Sequence, residues 1–390
     1  MSLSRGRSSR NSHVAFTATL FYVKAAVHPL IEDSAAAPTA DVTGVVTSTY
    51  TRDDLGFPRG AFWNASGATA EMVASVHWLR TFHNSVGYDP FLIVAQRPDA
   101  APTAFVPLCL VRSRMFGRFL VSLPYISSAG VMASDAGDAM ALVDAAVGLA
   151  DRLDVDYAVF RHERAAPHPA LSSRSDEKVH MRLKLPDSAG ALWNQLRSKV
   201  RNQIRKGERA GLTVHWGSHE LLNDFYGVFA RNMRDLGTPV FGRRLFHGIL
   251  EEFQDSAELC VVRQGDRSAA AALLIHGAES TEVPSASSLR AFNHTNANML
   301  MYWNLIVRGI QRGKSVFDFG RSSRESGTFR FKRQWGAHAT DAHWQYYVRR
   351  GDPGGHRPDS PKYRAAIRAW RRLPVWITRL LGPPIVRGIP

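Results

Sequence analysis

Two stretches of this sequence carry residue types that could do chemistry. The first is Phe317-Asp318-Phe319-Gly320-Arg321-Ser322-Ser323, followed by Gly327-Thr328-Phe329-Arg330-Phe331-Lys332-Arg333-Gln334-Trp335-Gly336. On a strand, Phe317 and Phe319 point one way and Asp318 the other. A charge in such an apolar strand needs a partner, and Arg321 is the nearest candidate. Lys332 lies between Phe331 and Trp335 in sequence. An ammonium held in an aromatic, partly dry pocket could stabilise the oxyanion of an acyl transfer. The same spacing also fits a surface lysine beside a structural Asp–Arg pair.

The second stretch is Leu192 to Arg209. Leu192, Leu196, Val200 and Ile204 recur every four residues and form an apolar stripe. Arg201, Arg205 and Arg209 recur with the same period, about 100° around the helix, and Lys206 adjoins them. Such a row can hold phosphates or a carboxylate through paired N–H donors. A solvated face that only aids solubility fits the row equally well.

Other chemistries lack their residues. There is no HExxH pattern, no Cys/His zinc spacing and no G-x-S-x-G elbow. Gly313-Lys314-Ser315 resembles a P-loop, but Arg308 stands where glycine is required and the order runs from helix to strand. His215 and His219 read as surface histidines, with no third metal ligand near them in sequence. Cys109 and Cys260, the only cysteines, lie in apolar runs and give neither a disulfide framework nor a metal site. A reducing compartment follows.

The elements that must position these residues repeat. In the first half, Ala68–Val86 reads as a helix and Phe91–Gln96 and Ala104–Arg112 as a hairpin. Phe119–Leu123 is a strand, Asp135–Leu153 a helix and Tyr157–His162 a strand. In the second half, Val179–Leu185 is a strand, Ser188–Ala210 a helix and Leu212–Trp216 a strand. Two helices follow, Leu221–Met233 and Arg244–Phe253. Leu259–Gln264 and Ala269–His276 form a hairpin, then come a strand near Val283–Ser288, the helix Asn298–Arg312 and the strand Val316–Gly320. FLIVAQ, AFVPLCLV and YAVFRH in the first half answer LCVVRQ, AAALLIHG and VFDFGR in the second. Hairpin-then-crossover units build mixed sheets covered by helices, so the chain reads as two similar α/β domains parting near Ser172–Glu177. One larger α/β domain is the alternative.

The formal charge of +15 is uneven. Arg349–Pro390 carries ten Lys/Arg against two Asp, and Arg197–Arg209 six against one Glu. Both clusters favour anionic partners: phosphates, nucleic acid or anionic lipid headgroups. In the tail, Ile367, Trp370, Leu373, Trp376, Ile377 and Leu380 alternate with basic residues, and Pro374 breaks the helix. This segment fits either an anionic membrane surface or a helix docked on the domain. No run is long and pure enough to span a bilayer. Arg5, Arg7 and Arg10 before Val14–Val23 mimic a signal peptide, but Lys24 and His28 interrupt it, so residues 1–41 read as a disordered or over-extended leader.

At these residues the sequence resembles the FemAB family. The stretch WNQLRSKVRNQIRKGERAGL from Trp193 is similar to the opening helix of the second FemAB domain. Asn232-Met-Arg-Asp-Leu-Gly-Thr-Pro, Asn298-Met-Leu-Met-Tyr-Trp303, Phe317-Asp-Phe-Gly-Arg-Ser322 and Phe329-Arg-Phe-Lys-Arg-Gln-Trp-Gly336 also fit, as do SRMFGRFLVSLP from Ser113 and Ser128-Ala129-Gly130. The closest branch is the FemAB-related proteins found beside exopolysaccharide and PEP-CTERM protein-sorting genes. The resemblance implies two tandem GNAT-like domains, each a mixed β-sheet flanked by helices: 42–174 and 175–350, followed by a basic amphipathic tail over 351–390. It implies a cytoplasmic acyltransferase, peripheral at the inner face of the membrane if the tail binds there, that joins an activated acyl group to a small-molecule, glycan or peptide amine. In the family, the lysine of F-K-x-x-[F/W]-G is thought to stabilise the tetrahedral intermediate, and here that residue is Lys332. Asp318 is the second catalytic candidate. Arg201, Arg205, Lys206, Arg321, Ser322, Phe331 and Trp335 are the substrate-binding candidates. The pyrophosphate loop Q/R-x-x-G-x-G/A and the coiled-coil arm of some cell-wall members are not visible. That leaves acyl-CoA or an acyl-carrier protein beside aminoacyl-tRNA as donor, with no metal. A GNAT-fold scaffold without chemistry is the competing expectation.

Overall fold

The computed structural model describes residues 45–55, 69–97, 104–114, 116–171, 173–175, 178–352 and 361–389. The leader expected over 1–41 lies outside the described residues. The first half contains β1 (Val46–Tyr50), α1 (Ala70–Val86), β2 (Asp89–Gln96), β3 (Ala104–Ser113), β4 (Gly117–Val121), α2 (Ala136–Arg152), β5 (Tyr157–His162) and β6 (Ser173–Ser175). The second half opens with β7 (Lys178–Lys184), α3 (Ala189–Gln195), α4 (Ser198–Arg209), β8 (Leu212–Gly217), α5 (Leu222–Leu236) and α6 (Arg243–Phe253). It continues with β9 (Ala257–Gln264), β10 (Arg267–His276), β11 (Ser280–Ser288), α7 (Ala297–Gln311), β12 (Val316–Ser323) and α8 (Gly327–Arg333). Then come β13 (His338–Asp341), β14 (His343–Val348), α9 (Pro361–Trp370) and α10 (Val375–Val386).

The strands form two seven-stranded sheets, ordered β1-β2-β3-β4-β5-β14-β6 and β13-β7-β12-β11-β10-β9-β8. Each is antiparallel except for one parallel pair, β4/β5 in the first and β11/β12 in the second. A parallel pair needs a crossover, and α2 and α7 supply the two crossovers. The repeat read from the sequence is therefore the repeat of the fold: a meander, a crossover helix, then a parallel strand. One core runs through both halves, joining Leu92, Phe105 and Val159 of the first sheet to Leu273, Phe317 and Trp335 of the second. A second core fills the other face of the first sheet beneath α2.

Three elements depart from the sequence reading. The helix expected over Ser188–Ala210 is broken, because Leu196 adopts an extended conformation between α3 and α4. The apolar stripe nonetheless survives the break, with Leu192, Leu196, Val200 and Ile204 all buried. Nothing in the residue types explains the break. The strand β14 lies in the span expected for the second domain, yet it pairs with β5 of the first sheet. A division at 174/175 thus follows the order along the chain and does not separate the sheets. Periodicity shows that a segment is a strand but not which sheet edge receives it. Finally, Gly327–Arg333 is helical. Ser326 caps it, its Oγ accepting the Phe329 N–H at 3.1 Å, and Gly336 at φ +96° reverses the chain beyond it.

Candidate active site

The helix α8 decides where the sequence motif points. Phe331 and Trp335 are four residues apart and share a face. Phe331 lies edge-on to Tyr302 of α7 at 5.0 Å, and Trp335 packs near the same ring at 6.4 Å. Both are buried. They anchor α8 and do not line a surface for substrate, which corrects the expectation of a ring-lined pocket around the ammonium. Lys332 turns the other way, toward β12, and its Nζ donates to the carbonyls of Gly320 at 3.1 Å and Arg321 at 2.7 Å. An ammonium has three N–H donors, so one is left over. Burial pushes the Lys332 amine down to about 7, with Asp318 opposing the shift and Arg321 adding to it.

Two carbonyls reach one ammonium because β12 is irregular. Its register against β7 shifts between Asp318 and Arg321, and Gly320 sits at φ +70°. Asp318 holds this bulge: its Oδ1 accepts the Gly320 N–H at 2.6 Å and its Oδ2 accepts from Arg182 Nε at 2.7 Å. The expected pairing of Asp318 with Arg321 is therefore absent. Their spacing allowed it, but the cross-strand neighbour of Asp318 is Arg182, a residue 136 positions away in sequence. Both carboxylate oxygens are engaged, so Asp318 shapes the bulge whose carbonyls hold Lys332. The other end of Arg182 grips Glu163, just beyond β5, and ties the two sheets together.

β12 also borders a gap. β11 and β12 pair only from Ser280/Val316 to Glu282/Asp318, although β11 continues to Ser288 and β12 to Ser323. The loop after β4 crosses this opening. Tyr125 Oη lies 2.6 Å from Ser285 Oγ of β11, and Ser127 Oγ would lie 3.4 Å from a Cβ added at Gly320. Leu123 and Tyr125 hold positive φ values of 46° and 73°, strain that a non-glycine loop keeps only when its surroundings fix it. At the closed end of the gap Glu282 is half-buried. Burial, and then the charge of Asp318, raise its carboxyl to about 8. Sequence reasoning found no general base. Glu282, Arg182, Glu163, His180 and Tyr125 all went unnoticed, because only the pairing of distant strands brings them together.

The remaining candidates divide. Arg321 is buried, its guanidinium 4.1 Å from the centroid of Trp344. Ser322 is fully buried and its Oγ has no hydrogen-bond partner. On α4, Arg201 is half-buried, with Nη1 3.4 Å from the Trp193 carbonyl, while Arg205 and Lys206 are exposed and Arg205 stacks on Trp193 at 5.2 Å. Both segments pack on α7: Trp193 of α3 and Gly207 of α4 approach Trp303 and Leu300, whereas Phe331 of α8 and Gln334 just after it approach Tyr302 and Met299. Among the described residues no hydrogen bond joins Arg201, Arg205 or Lys206 to Lys332, whose Nζ partners are the Gly320 and Arg321 carbonyls. His219 does have neighbours that could share a metal, His247 and Glu251, which its sequence surroundings did not reveal; all three are exposed. They lie near a cavity of about 510 Å³ at the β8/β9 edge, remote from β12, where His219 and Glu251 join Glu258 and Arg308 in the lining.

Comparison with known proteins fits this geometry. Residues 194–333, from the first helix of the second half through Lys332, match the family model described as an acetyltransferase (GNAT) domain. Residues 194–333 are therefore a GNAT domain, in a chain whose two mixed sheets are flanked by helices. The chain has the fold of FemX, with a TM-score of 0.54 at 13% identity, over 73% of this chain and 93% of that one. At this identity the likeness to FemX is one of fold. A tandem GNAT protein from the clavulanic acid biosynthesis pathway is also similar (TM-score 0.46, 10% identity, 79% of this chain and 100% of that one). So is L-PGS from Bacillus licheniformis (0.44, 13%, 72% and 86%). No curated protein matches the sequence.

Proposed function

We propose that this protein is an N-acyltransferase that forms an amide between an activated acyl or aminoacyl donor and an amine acceptor, in cell-envelope or exopolysaccharide metabolism. The observation that carries the proposal is Lys332, an amine buried beside an open sheet with two N–H bonds committed to backbone carbonyls and one free. In the reaction the acceptor nitrogen attacks the acyl carbon and the carbonyl oxygen gains negative charge. The free N–H of Lys332 meets that charge. Glu282, in its ionised form, takes the proton released by the nitrogen, since its carboxyl is raised toward the working pH. Collapse of the intermediate breaks the C–S or C–O bond, and the proton held by Glu282 passes to the leaving sulfur or oxygen, which departs as the donor's thiol or hydroxyl. Arg205 and Lys206, exposed on α4, suit the phosphates of a large donor outside the gap, whether acyl-CoA, acyl-carrier protein or aminoacyl-tRNA.

The test incubates the protein with each donor class and a panel of sugar, peptide and small-molecule amines, and follows product mass. A product heavier than the acceptor by the acyl group is expected from one donor class. No product from any donor, with no ligand-induced rise in melting temperature, would replace this reading with that of a non-catalytic scaffold.

The tail is part of the same proposal. The tail docks on the body on either side of α10: Arg234 Nη1 donates to the Leu373 carbonyl and Arg371 Nη2 to that of Leu236 before the helix, and Tyr88 Oη donates to the Arg387 carbonyl after it. Docking still leaves Trp376 and Leu380 each 68% exposed, with Leu381 and Ile385 beside them and Arg372, Arg379 and Arg387 exposed nearby. That face suits the surface of an anionic bilayer. No described helix is long and apolar enough to cross one. Deleting the tail would uncover what it packs on, so the double variant Trp376→Ser/Leu380→Ser is the better probe. Wild type should float with phosphatidylglycerol vesicles and the variant should not; equal flotation of both would end the membrane idea.

A further inference from the structure

One group of buried side chains near Lys332 has no role in the reaction just described. Arg161 of β5 pairs in register with Trp344 of β14, and Arg321 arrives from β12 of the other sheet. Both guanidinium carbons stand against the same indole, at 4.6 Å for Arg161 and 4.1 Å for Arg321. Arg161 Nη1 is satisfied by the carbonyls of Leu123 and Ile126, at 3.1 and 2.9 Å. Arg161 Nε, Arg321 Nε and Nη1, and Trp344 Nε1 are buried with no hydrogen-bond partner. Across β7, in register with Arg321, both ring nitrogens of His180 are also without one. Among the described residues neither Arg161 nor Arg321 has an ion pair.

These atoms define what is missing. Arginine and the indole N–H only donate, so the four orphans on Arg161, Arg321 and Trp344 call for an acceptor. Buried polar groups are almost always satisfied, and four unmet donors on three touching side chains need a common explanation. A water would accept hydrogen bonds but leave two buried like charges uncompensated. An oxyanion supplies both the acceptors and the compensating charge. The two charges do disfavour each other: burial, then the proximity of Arg161, hold the Arg321 guanidinium well below its ordinary value. Arg321 and Arg161 are still 8% and 4% exposed, so the cluster is not sealed.

We propose that Arg161, Arg321 and Trp344 form an anion subsite between the two sheets that takes a carboxylate or phosphate carried by the substrate. The Arg321 carbonyl accepts from Lys332 at 2.7 Å, so the subsite adjoins the reacting centre. The substrate class that follows is an acyl acceptor or donor whose anionic group lies close to the reacting atom, such as an amino acid, an acidic amino sugar or a sugar phosphate. This substrate assignment rests on the acyl-transfer reading, but anion binding itself can be measured without any transfer.

The experiment titrates full-length protein with inorganic phosphate, acetate and chloride at matched ionic strength, following melting temperature and heat of binding. Saturable stabilisation by phosphate or by acetate is expected, and whichever acts names the group the substrate carries; chloride serves as the baseline. Arg321→Gln should weaken that binding about tenfold or more, and Trp344→Phe, which keeps a ring and loses one donor, roughly two- to tenfold. Without anion, Arg321→Gln should melt at or above the wild-type temperature, because it relieves an uncompensated charge. No saturable effect of either anion on wild type would overturn the subsite, as would Arg321→Gln binding as tightly as wild type. If the subsite passes while no donor yields product, the acyl-transfer reading fails alone; if product forms and the anions do not bind, the subsite fails alone.

Discussion

Lys332→Met should lower turnover by about 10²- to 10³-fold and leave KM nearly unchanged, the range expected when one preorganised donor to an oxyanion is lost. The KM is spared because the third N–H of Lys332 meets charge that exists only in the transition state. Methionine is the right replacement because it fills much of the space beside β12 without a donor. The variant also leaves the carbonyls of Gly320 and Arg321 without their partner, which costs roughly 1–3 kcal/mol of stability. That loss is modest against the stability of an ordinary domain, so folded protein is expected and its turnover can be read directly. Steady-state kinetics beside a thermal melt make the check, and a folded Lys332→Met with wild-type turnover would remove Lys332 from the chemistry.

Glu282→Gln should slow the reaction by about 10²-fold or more, the contribution of a positioned base, and should change stability in the opposite direction. The folded carboxyl titrates near 8, well above the ordinary carboxylate range. Between those values the unfolded chain has already lost the proton and the folded chain still holds it. The folded state then binds more protons, so wild-type stability falls as pH rises across this window. Glutamine cannot lose a proton, so the variant should be progressively more stable than wild type from about pH 5 to pH 8. The reaction needs Lys332 protonated and Glu282 ionised, yet their values lie near 7 and 8 in that order. The wild-type rate should therefore peak between them in a bell whose limbs belong to the pair and not to either residue. One limb should vanish in Glu282→Gln. A variant with an unchanged profile would place the base elsewhere.

Much of this was legible in the sequence where the information is local. The hairpins, the crossover helices and the repeat follow from periodicity and turn residues, and Tyr157–His162 was read with its observed bounds. Lys332 stood out because its neighbours are aromatic. Its surroundings were misread, since the sequence does not show that Gly327–Arg333 is a short helix, which sends Phe331 and Trp335 into the core and the lysine toward β12. The partner of Asp318 was misread for a related reason. A strand's nearest charge in sequence is two or three residues off, but its partner in space sits on the neighbouring strand, here Arg182. Glu282 carried a weak signal, a lone carboxylate in the strand STEVPSASS; its pKa is raised first by burial and then by Asp318 of a strand paired in parallel through α7, neither of which is local in sequence.

The most direct test is the affinity of a phosphonate that mimics the tetrahedral intermediate of the transfer, compared with that of the ground-state substrate. Wild type should bind the phosphonate at least about a hundredfold tighter than Lys332→Met does, while both bind substrate alike. Equal affinity of the two proteins for the phosphonate would show that this buried ammonium never faces the reacting oxygen.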